Sequence, residues 1–189
     1  EPLHGGFHAV NYPVDPSITA AVFVPDYELS TEKARQALPR ELPYKDAVYN
    51  VSRVGLLPAA MNPVVLAQAA QQGKSDTCAC SGGTRESAFA DELAAAQAQS
   101  NALLFTATQD KLHQPYRGAL MPPSTELIAL FRSKGYAAAV SGAGPCVLVL
   151  HYGNAREAID QIASEQLASG HWRVLHLPIN TAGVEIERR

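Results

Sequence analysis

The order of strands and helices in the last third of the chain constrains the fold more than any other sequence feature. Three segments rich in apolar and β-branched residues predict three strands: Tyr136–Val140, Cys146–His151 and Trp172–Pro178. Between the second and third strands, residues 154–168 carry apolar side chains at helical spacing. Ala20–Val24 predicts an earlier strand, with helices following it. This is the split βαβ, or ferredoxin-like, order, so we expect an α+β fold with a mostly antiparallel sheet and helices on one face.

The first half of the chain predicts a hairpin followed by helices. Phe7–Val14 and Thr19–Pro25 flank a turn signal, which is typical of adjacent strands, and residues 1–18 are interpreted as a lead-in strand. Good helix formers in residues 45–72 predict two helical pieces, because two prolines interrupt them. Residues 73–85 have loop composition and are interpreted as a mobile insertion. The helical region carries one apolar stripe, made of Val48, Val51, Val54 or Gly55, and Leu57.

Composition argues against several classes of function. The chain has 15 Lys and Arg against 18 Asp and Glu, and its only basic cluster is Arg188–Arg189, so the electrostatic footprint of a nucleic-acid-binding protein is missing. No apolar run approaches the roughly 18 residues that a membrane span needs. Cys78, Cys80 and Cys146 lack the spacing of a disulfide framework or a zinc site. We therefore expect a cytoplasmic protein that has no metal ligands and binds neither nucleic acid nor membrane.

Three stretches hold candidate binding residues. Arg117 lies in a predicted loop, where its guanidinium either captures a carboxylate or phosphate or pairs with a surface acid. Thr31 and Arg35 are four residues apart on one face of a short predicted helix, which is either a binding surface or a solvated face. Ser141–Pro145 is a run of small residues that either approaches a phosphate or forms a tight turn. The residues alone thus indicate an anion-recognition surface at most.

The order of four sequence stretches resembles a known family. Residues 25–39, 45–53, 110–117 and 141–145 are similar to motifs in the C-terminal half of the homoserine kinases, which belong to the GHMP superfamily of small-molecule kinases. The resemblance runs from Gly5 to the end of the chain. It implies that residues 1–189 form a GHMP kinase C-terminal domain.

The resemblance also implies an activity. Such enzymes transfer the γ-phosphoryl group of ATP to the side-chain hydroxyl of L-homoserine, with Mg²⁺ accompanying ATP, in threonine biosynthesis. By resemblance, Thr31, Arg35 and Arg117 bind the acceptor and the two arginines clamp its carboxylate. The glycine motif, which packs near the nucleotide phosphate loop, maps to Ser141, Gly142, Ala143 and Gly144. Asp46 and Asn50 match the family's helix pattern and are interpreted as structural, and a homodimer is implied.

The sequence also departs from the family's pattern. The phosphate loop, Pro-x-x-x-Gly-Leu-Gly-Ser-Ser-Ala, is absent from residues 1–189, and so is the Glu that holds Mg²⁺. We therefore expect ATP, Mg²⁺ and the catalytic residues to depend mainly on an N-terminal half outside this segment, and the isolated segment to be inactive. Two alternatives stay open: a free-standing ferredoxin-like module that binds an amino acid, and a GHMP kinase for another small alcohol.

Overall fold

The computed structural model describes residues 10–64, 67–68, 85–181, 183 and 186, which form four strands and a series of helices. The strands are β1 (Ile18–Pro25), β2 (Ala137–Val140), β3 (Val147–Tyr152) and β4 (Trp172–Pro178). The helices before β2 are α1 (Thr31–Gln36), α2 (Tyr44–Val54), α3 (Leu57–Ala60), α4 (Arg85–Ala107), α5 (Gln114–Arg117) and α6 (Pro122–Ser133). A 3₁₀ turn, Gly118–Leu120, joins α5 to α6, and α7 (Arg156–Ile162) and α8 (Ser164–Ala168) connect β3 to β4.

The four strands form one antiparallel sheet in the order β2-β3-β1-β4. β1 is central because it pairs with β3 on one side and with β4 on the other, with Ala21 opposite Val149 and His176. The predicted α+β class, strand order and antiparallel sheet are therefore confirmed.

Helices cover both faces of the sheet, whereas the sequence predicted one. Phe23 and Val149 lie on one face, where they pack against Phe131 of α6 and Ile159 of α7. The other face carries residues of opposite parity, including Ile18, Ala20 and Leu150, which pack against Ala60 of α3 and Leu104 of α4. Because successive side chains of a strand point to opposite faces, these two clusters are separate layers of core. Apolar side chains of α3 and α4 form the second layer of the core.

The segment before β1 is not the predicted strand in the residues that are described. Residues 10–17 pair with the end of α3 instead: Asp15 N donates to Met61 O at 2.9 Å, and Asn62 Nδ2 donates to Pro13 O at 3.1 Å. Pro13 and Pro16 have no N–H group to donate to a neighbouring strand, which explains the difference. Residues 1–9 of the predicted lead-in strand and residues 73–84 of the predicted insertion lie outside the described residues.

α2 confirms a predicted helix, but its apolar stripe faces solvent. Val48, Val51 and Val54 are 49%, 73% and 64% exposed, and no residue of α2 is buried. The opposite face of α2, with Asp46 and Asn50, contacts the loop between α4 and α5. The helix is therefore held to the domain by its polar side.

His151 is a half-buried histidine on β3. Its ring centroid lies 5.2 Å from that of Tyr136, and no group in the described part of the chain hydrogen-bonds its buried Nδ1. Burial lowers the pKa of His151, and a backbone hydrogen bond at Gly153 only partly offsets this. Folding therefore favours the neutral form of the His151 imidazole over the protonated form.

This histidine should make stability depend on pH. Because the pKa of His151 is lower in the folded state, the unfolded chain takes up the proton first, and the free energy of unfolding should fall as the pH drops below about 6.5. The slope from this one group is at most about 1.4 kcal/mol per pH unit. Urea denaturation at pH 7.5, 6.5 and 5.5 measures it. His151→Phe keeps a ring against Tyr136 and should flatten that part of the slope, so an identical slope in both proteins would contradict the assignment.

Candidate functional site

An open cavity of about 540 Å³ lies where α1, α5 and the turn after β2 meet. Arg35 and Arg117 both line it. So do Gly142 and Ala143, which belong to Ser141–Pro145, the turn between β2 and β3 that we call the glycine turn. Ser141 and Gly144, also predicted for the site, do not line the cavity. The full lining is Thr31, Arg35, Asp110, His113, Gln114, Arg117, Val140, Gly142 and Ala143.

α1 presents Thr31 and Arg35 to this cavity. Ser30 begins the helix, and its Oγ accepts a hydrogen bond from Lys33 N at 3.4 Å, which satisfies one of the free N–H groups of the first turn. Ala34 is fully buried and fixes which side of the helix faces the protein. Thr31 and Arg35, one turn apart, are exposed, and no described residue accepts a hydrogen bond from the Arg35 guanidinium. That cation is therefore available to a ligand.

Arg117 is half-buried at the end of α5, and it joins two walls of the cavity. Its Nε donates to Ala34 O of α1 at 3.2 Å, and its Nη1 donates to Gly142 O of the glycine turn at 3.4 Å. No described residue accepts a hydrogen bond from Nη2. The carbonyl contacts therefore orient the guanidinium while its charge stays without an acidic partner in the described part of the chain.

Arg117, which the sequence placed in a loop, is the last residue of the short helix α5, and Asp110 organises the loop that leads into this helix. Its side chain is only 14% exposed, and its carboxylate accepts hydrogen bonds from the backbone N–H groups of Leu112, His113 and Gln114 at 2.8, 2.9 and 2.6 Å. Asn50 Nδ2 of α2 donates a fourth at 2.6 Å. The turn that leads into α5 is thus fixed by one side chain.

These contacts also set the protonation of Asp110. Burial raises the pKa of the Asp110 carboxyl, but the hydrogen bonds from Gln114, Asn50, Leu112 and His113 outweigh burial and hold the pKa below its usual value. Because the carboxylate already accepts four hydrogen bonds, its charge is largely engaged by the loop. The two arginines therefore dominate the electrostatics of the cavity.

The glycine turn closes the cavity on the β2 side. Ser141 N donates to Cys146 O at 2.8 Å, so the turn returns the chain from β2 into β3. Gly144 has φ +93°, and a Cβ atom there would lie 2.6 Å from Met121 Sδ, so only glycine fits. Ser141 and Gly144 shape a tight turn, while Gly142 and Ala143 line the cavity. The predicted approach of this motif to a phosphate stays a prediction.

Asp110 and Gln114 line the cavity although the sequence did not single them out as binding residues, and His113, which lies between them in the sequence, also lines it. Gln114 has a positioning contact, because its Oε1 accepts a hydrogen bond from Val140 N at 3.0 Å. The signal that could have found Asp110 is its position shortly before a helix that has Pro115 in its first turn, where Asp commonly caps free N–H groups.

Within the described residues, no group of three or more His, Cys, Asp or Glu side chains is arranged to hold a metal ion. In the same part of the chain, no helix combines the length and the apolar content that crossing a membrane requires.

Comparison with known proteins identifies the domain. Residues 87–168 match the family described as GHMP kinases C terminal. Over 182 residues, 96% of this chain, the sequence is 35% identical to the homoserine kinase of Corynebacterium aurimucosum. The chain contains a GHMP kinase C-terminal domain. Its predicted resemblance to the C-terminal portion of homoserine kinases is confirmed.

This chain is similar to only part of each relative. The match covers 46% of the Corynebacterium aurimucosum protein, and a match at 35% identity covers 42% of the homoserine kinase of Leifsonia xyli subsp. xyli. The chain thus spans about half the length of the curated relatives it matches. A crystal structure of homoserine kinase from Cytophaga hutchinsonii has the same fold, with a TM-score of 0.64, 20% identity, and coverage of 92% of this chain and 45% of that one.

Proposed function

We propose that this domain is the acceptor-binding half of an ATP-dependent kinase that phosphorylates L-homoserine in threonine biosynthesis. The observation that carries the proposal is the presence of Arg35 and Arg117 in one cavity, beside the glycine turn. The homoserine kinases that resemble this chain over nine-tenths of its length support the choice of acceptor.

In the proposed complex, Arg35 and Arg117 bind the acceptor's carboxylate. Guanidinium groups suit a planar carboxylate because they form charge-assisted hydrogen bonds to its oxygens. Holding that end of the molecule directs its hydroxyl away from the clamp, toward the phosphoryl donor. Thr31, on the same wall as Arg35, contributes a hydroxyl group to the acceptor's polar atoms.

The proposed reaction needs groups beyond the clamp. The acceptor oxygen forms a bond to the γ-phosphorus, the bond from that phosphorus to the bridging oxygen of ADP breaks, and the hydroxyl loses its proton. Positioning and charge stabilisation of the γ-phosphate govern such transfers. We propose that an N-terminal half supplies most of the binding of ATP and Mg²⁺, with Ser141, Gly142, Ala143 and Gly144 packed beside its phosphate loop. A cytoplasmic homodimer is part of the same proposal.

An acceptor screen tests this function. The full-length protein that contains this chain is incubated with ATP and, separately, homoserine, mevalonate or a sugar, and ADP release is measured with identification of the phosphorylated product. We expect phosphorylation of homoserine. Activity on another alcohol with none on homoserine would reject the acceptor and support another GHMP kinase.

Calorimetry on residues 1–189 complements the screen. We expect this segment to be inactive and to bind ATP far more weakly than the full-length protein does. Tight binding of ATP by residues 1–189 would contradict the proposal that an N-terminal half supplies most of the ATP binding. Binding of homoserine by a full-length protein that phosphorylates no acceptor would instead support an amino-acid-binding module.

A further inference from the structure

The apolar stripe of α2 is an exposed feature of the described residues that the proposed acceptor site does not use. Val48 and Val51 of this stripe are 49% and 73% exposed, and Tyr44, one turn earlier on the same side of the helix, is 84% exposed. Gly55 is the next position on that side, whereas Val54 lies to one side of it. At 100° per residue the four positions other than Val54 fall within a sector of about 60° on the helix surface. They therefore form one continuous apolar ridge.

The opposite side of α2 holds the helix to the domain through polar groups. Tyr49 Oη donates to Gln109 Oε1 at 2.6 Å, Asn50 Nδ2 donates to Asp110 Oδ1 at 2.6 Å, and Lys111 Nζ lies 3.6 Å from Asp46 Oδ1. A surface helix normally buries its apolar stripe and leaves its polar side in water. α2 has the reverse orientation, which is typical of a helix whose apolar side another body covers.

We propose that the apolar stripe of α2 docks the nucleotide-binding half of the longer kinase. This inference rests on the proposed function and adds the surface through which the two halves meet. The matched relatives are about twice as long as this chain, and the phosphate loop is absent from residues 1–189. The additional part of such a protein is therefore of the size of a second domain, and it must supply the donor site.

The position of the stripe suits this occupant. The loop on the other side of α2 includes Asp110, which lines the acceptor cavity. One helix diameter, about 10 Å, thus separates the stripe from the loop that forms the acceptor site. A domain seated on Val48 and Val51 is separated from the loop of the acceptor cavity by the width of α2 alone, a distance that a phosphoryl donor site on that domain can span.

Cysteine labelling of the full-length protein tests the proposal. Val51→Cys and, as a matched control, Glu157→Cys are each reacted with a small maleimide, and the labelling rate of each position is followed by peptide mass spectrometry. Glu157 is exposed on α7, on the other side of the domain core. We expect the Val51→Cys position to react at least tenfold more slowly than the Glu157→Cys position, although Val51 is 73% exposed here.

The outcomes separate this inference from the proposed function. Equal labelling rates would overturn the docking surface, and ADP release with homoserine in the same preparation would show that the kinase proposal survives. Protection of the Val51→Cys position that disappears when the protein is diluted to a monomer would also overturn it, because a second copy of the chain would then be the occupant. Protection that persists in the monomer supports docking even if the acceptor proves to be another alcohol.

Discussion

Replacing Arg117 with alanine is expected to raise the KM for homoserine by about 10-fold to 150-fold in the full-length enzyme. The estimate corresponds to the loss of a charge-assisted hydrogen bond, which contributes about 1.5–3 kcal/mol. The guanidinium is already oriented by Ala34 O and Gly142 O, so little ordering offsets the gain when a carboxylate binds. Steady-state kinetics at saturating ATP measure the change.

Two companion variants make the Arg117 result specific. Arg35→Ala should raise the same KM strongly, because it removes the second cation of the clamp, and Arg156→Ala, at an exposed position on α7, should leave it unchanged. Because the proposed function assigns ATP binding mainly to the other half, the KM for ATP should change little in either clamp variant. Unchanged homoserine kinetics in Arg117→Ala would reject the clamp.

Asp110→Ala should lower the free energy of unfolding by about 3 kcal/mol. The change leaves three backbone N–H groups and the Asn50 amide without their acceptor. A fully buried donor left unpaired costs about 1–3 kcal/mol, and these four sum to less than four such costs because three are only partly buried, one is exposed, and the effects are not additive. Urea denaturation measures the loss. Asp91→Ala, at an exposed position on α4, serves as the control and should stay within about 0.5 kcal/mol of the wild type.

The pH dependence gives the Asp110 prediction a second readout. Because hydrogen bonding holds the pKa of Asp110 below its usual value, the carboxylate stabilises the folded state above the pKa of the unfolded chain, about 3.9. This contribution is lost as the pH falls through the lower, folded pKa. The difference in stability between wild type and Asp110→Ala should therefore shrink below about pH 4, and a constant difference would contradict the role of the ionised carboxylate.

The sequence predicted the sheet well because each strand carries its own local signal. Val147 and Val149 alternate with Leu148 and Leu150, which pack on the opposite face, and Gly153 directly follows β3. The resemblance predicted Arg35 and Arg117 for one site, and both line the same cavity. Their role in binding the acceptor stays a prediction until the kinetics are measured.

Two aspects of the structure could not be predicted from local patterns. The periodicity of α2 shows that Val48 and Val51 share a stripe, but it cannot show whether that stripe faces this domain or another body. The role of Asp110 depends on Asn50, 60 residues away, and no spacing rule connects a loop carboxylate to a distant amide. In both cases the deciding contacts are tertiary.

The hydrogen bonds between Asn50 and the loop have a thermodynamic consequence. Asn50 Oδ1 accepts a hydrogen bond from Lys111 N at 2.9 Å, and Asn50 Nδ2 donates one to Asp110. These bonds connect α2 to the loop that leads into α5, the helix of Arg117. An acceptor that restricts the motion of Arg117 should then also restrict the motion of α2. A partner docked on α2 should likewise restrict the motion of Arg117. Coupling between two binding equilibria is reciprocal. If docking of the donor half raises the affinity for homoserine by some factor, bound homoserine should raise the equilibrium constant for docking by the same factor.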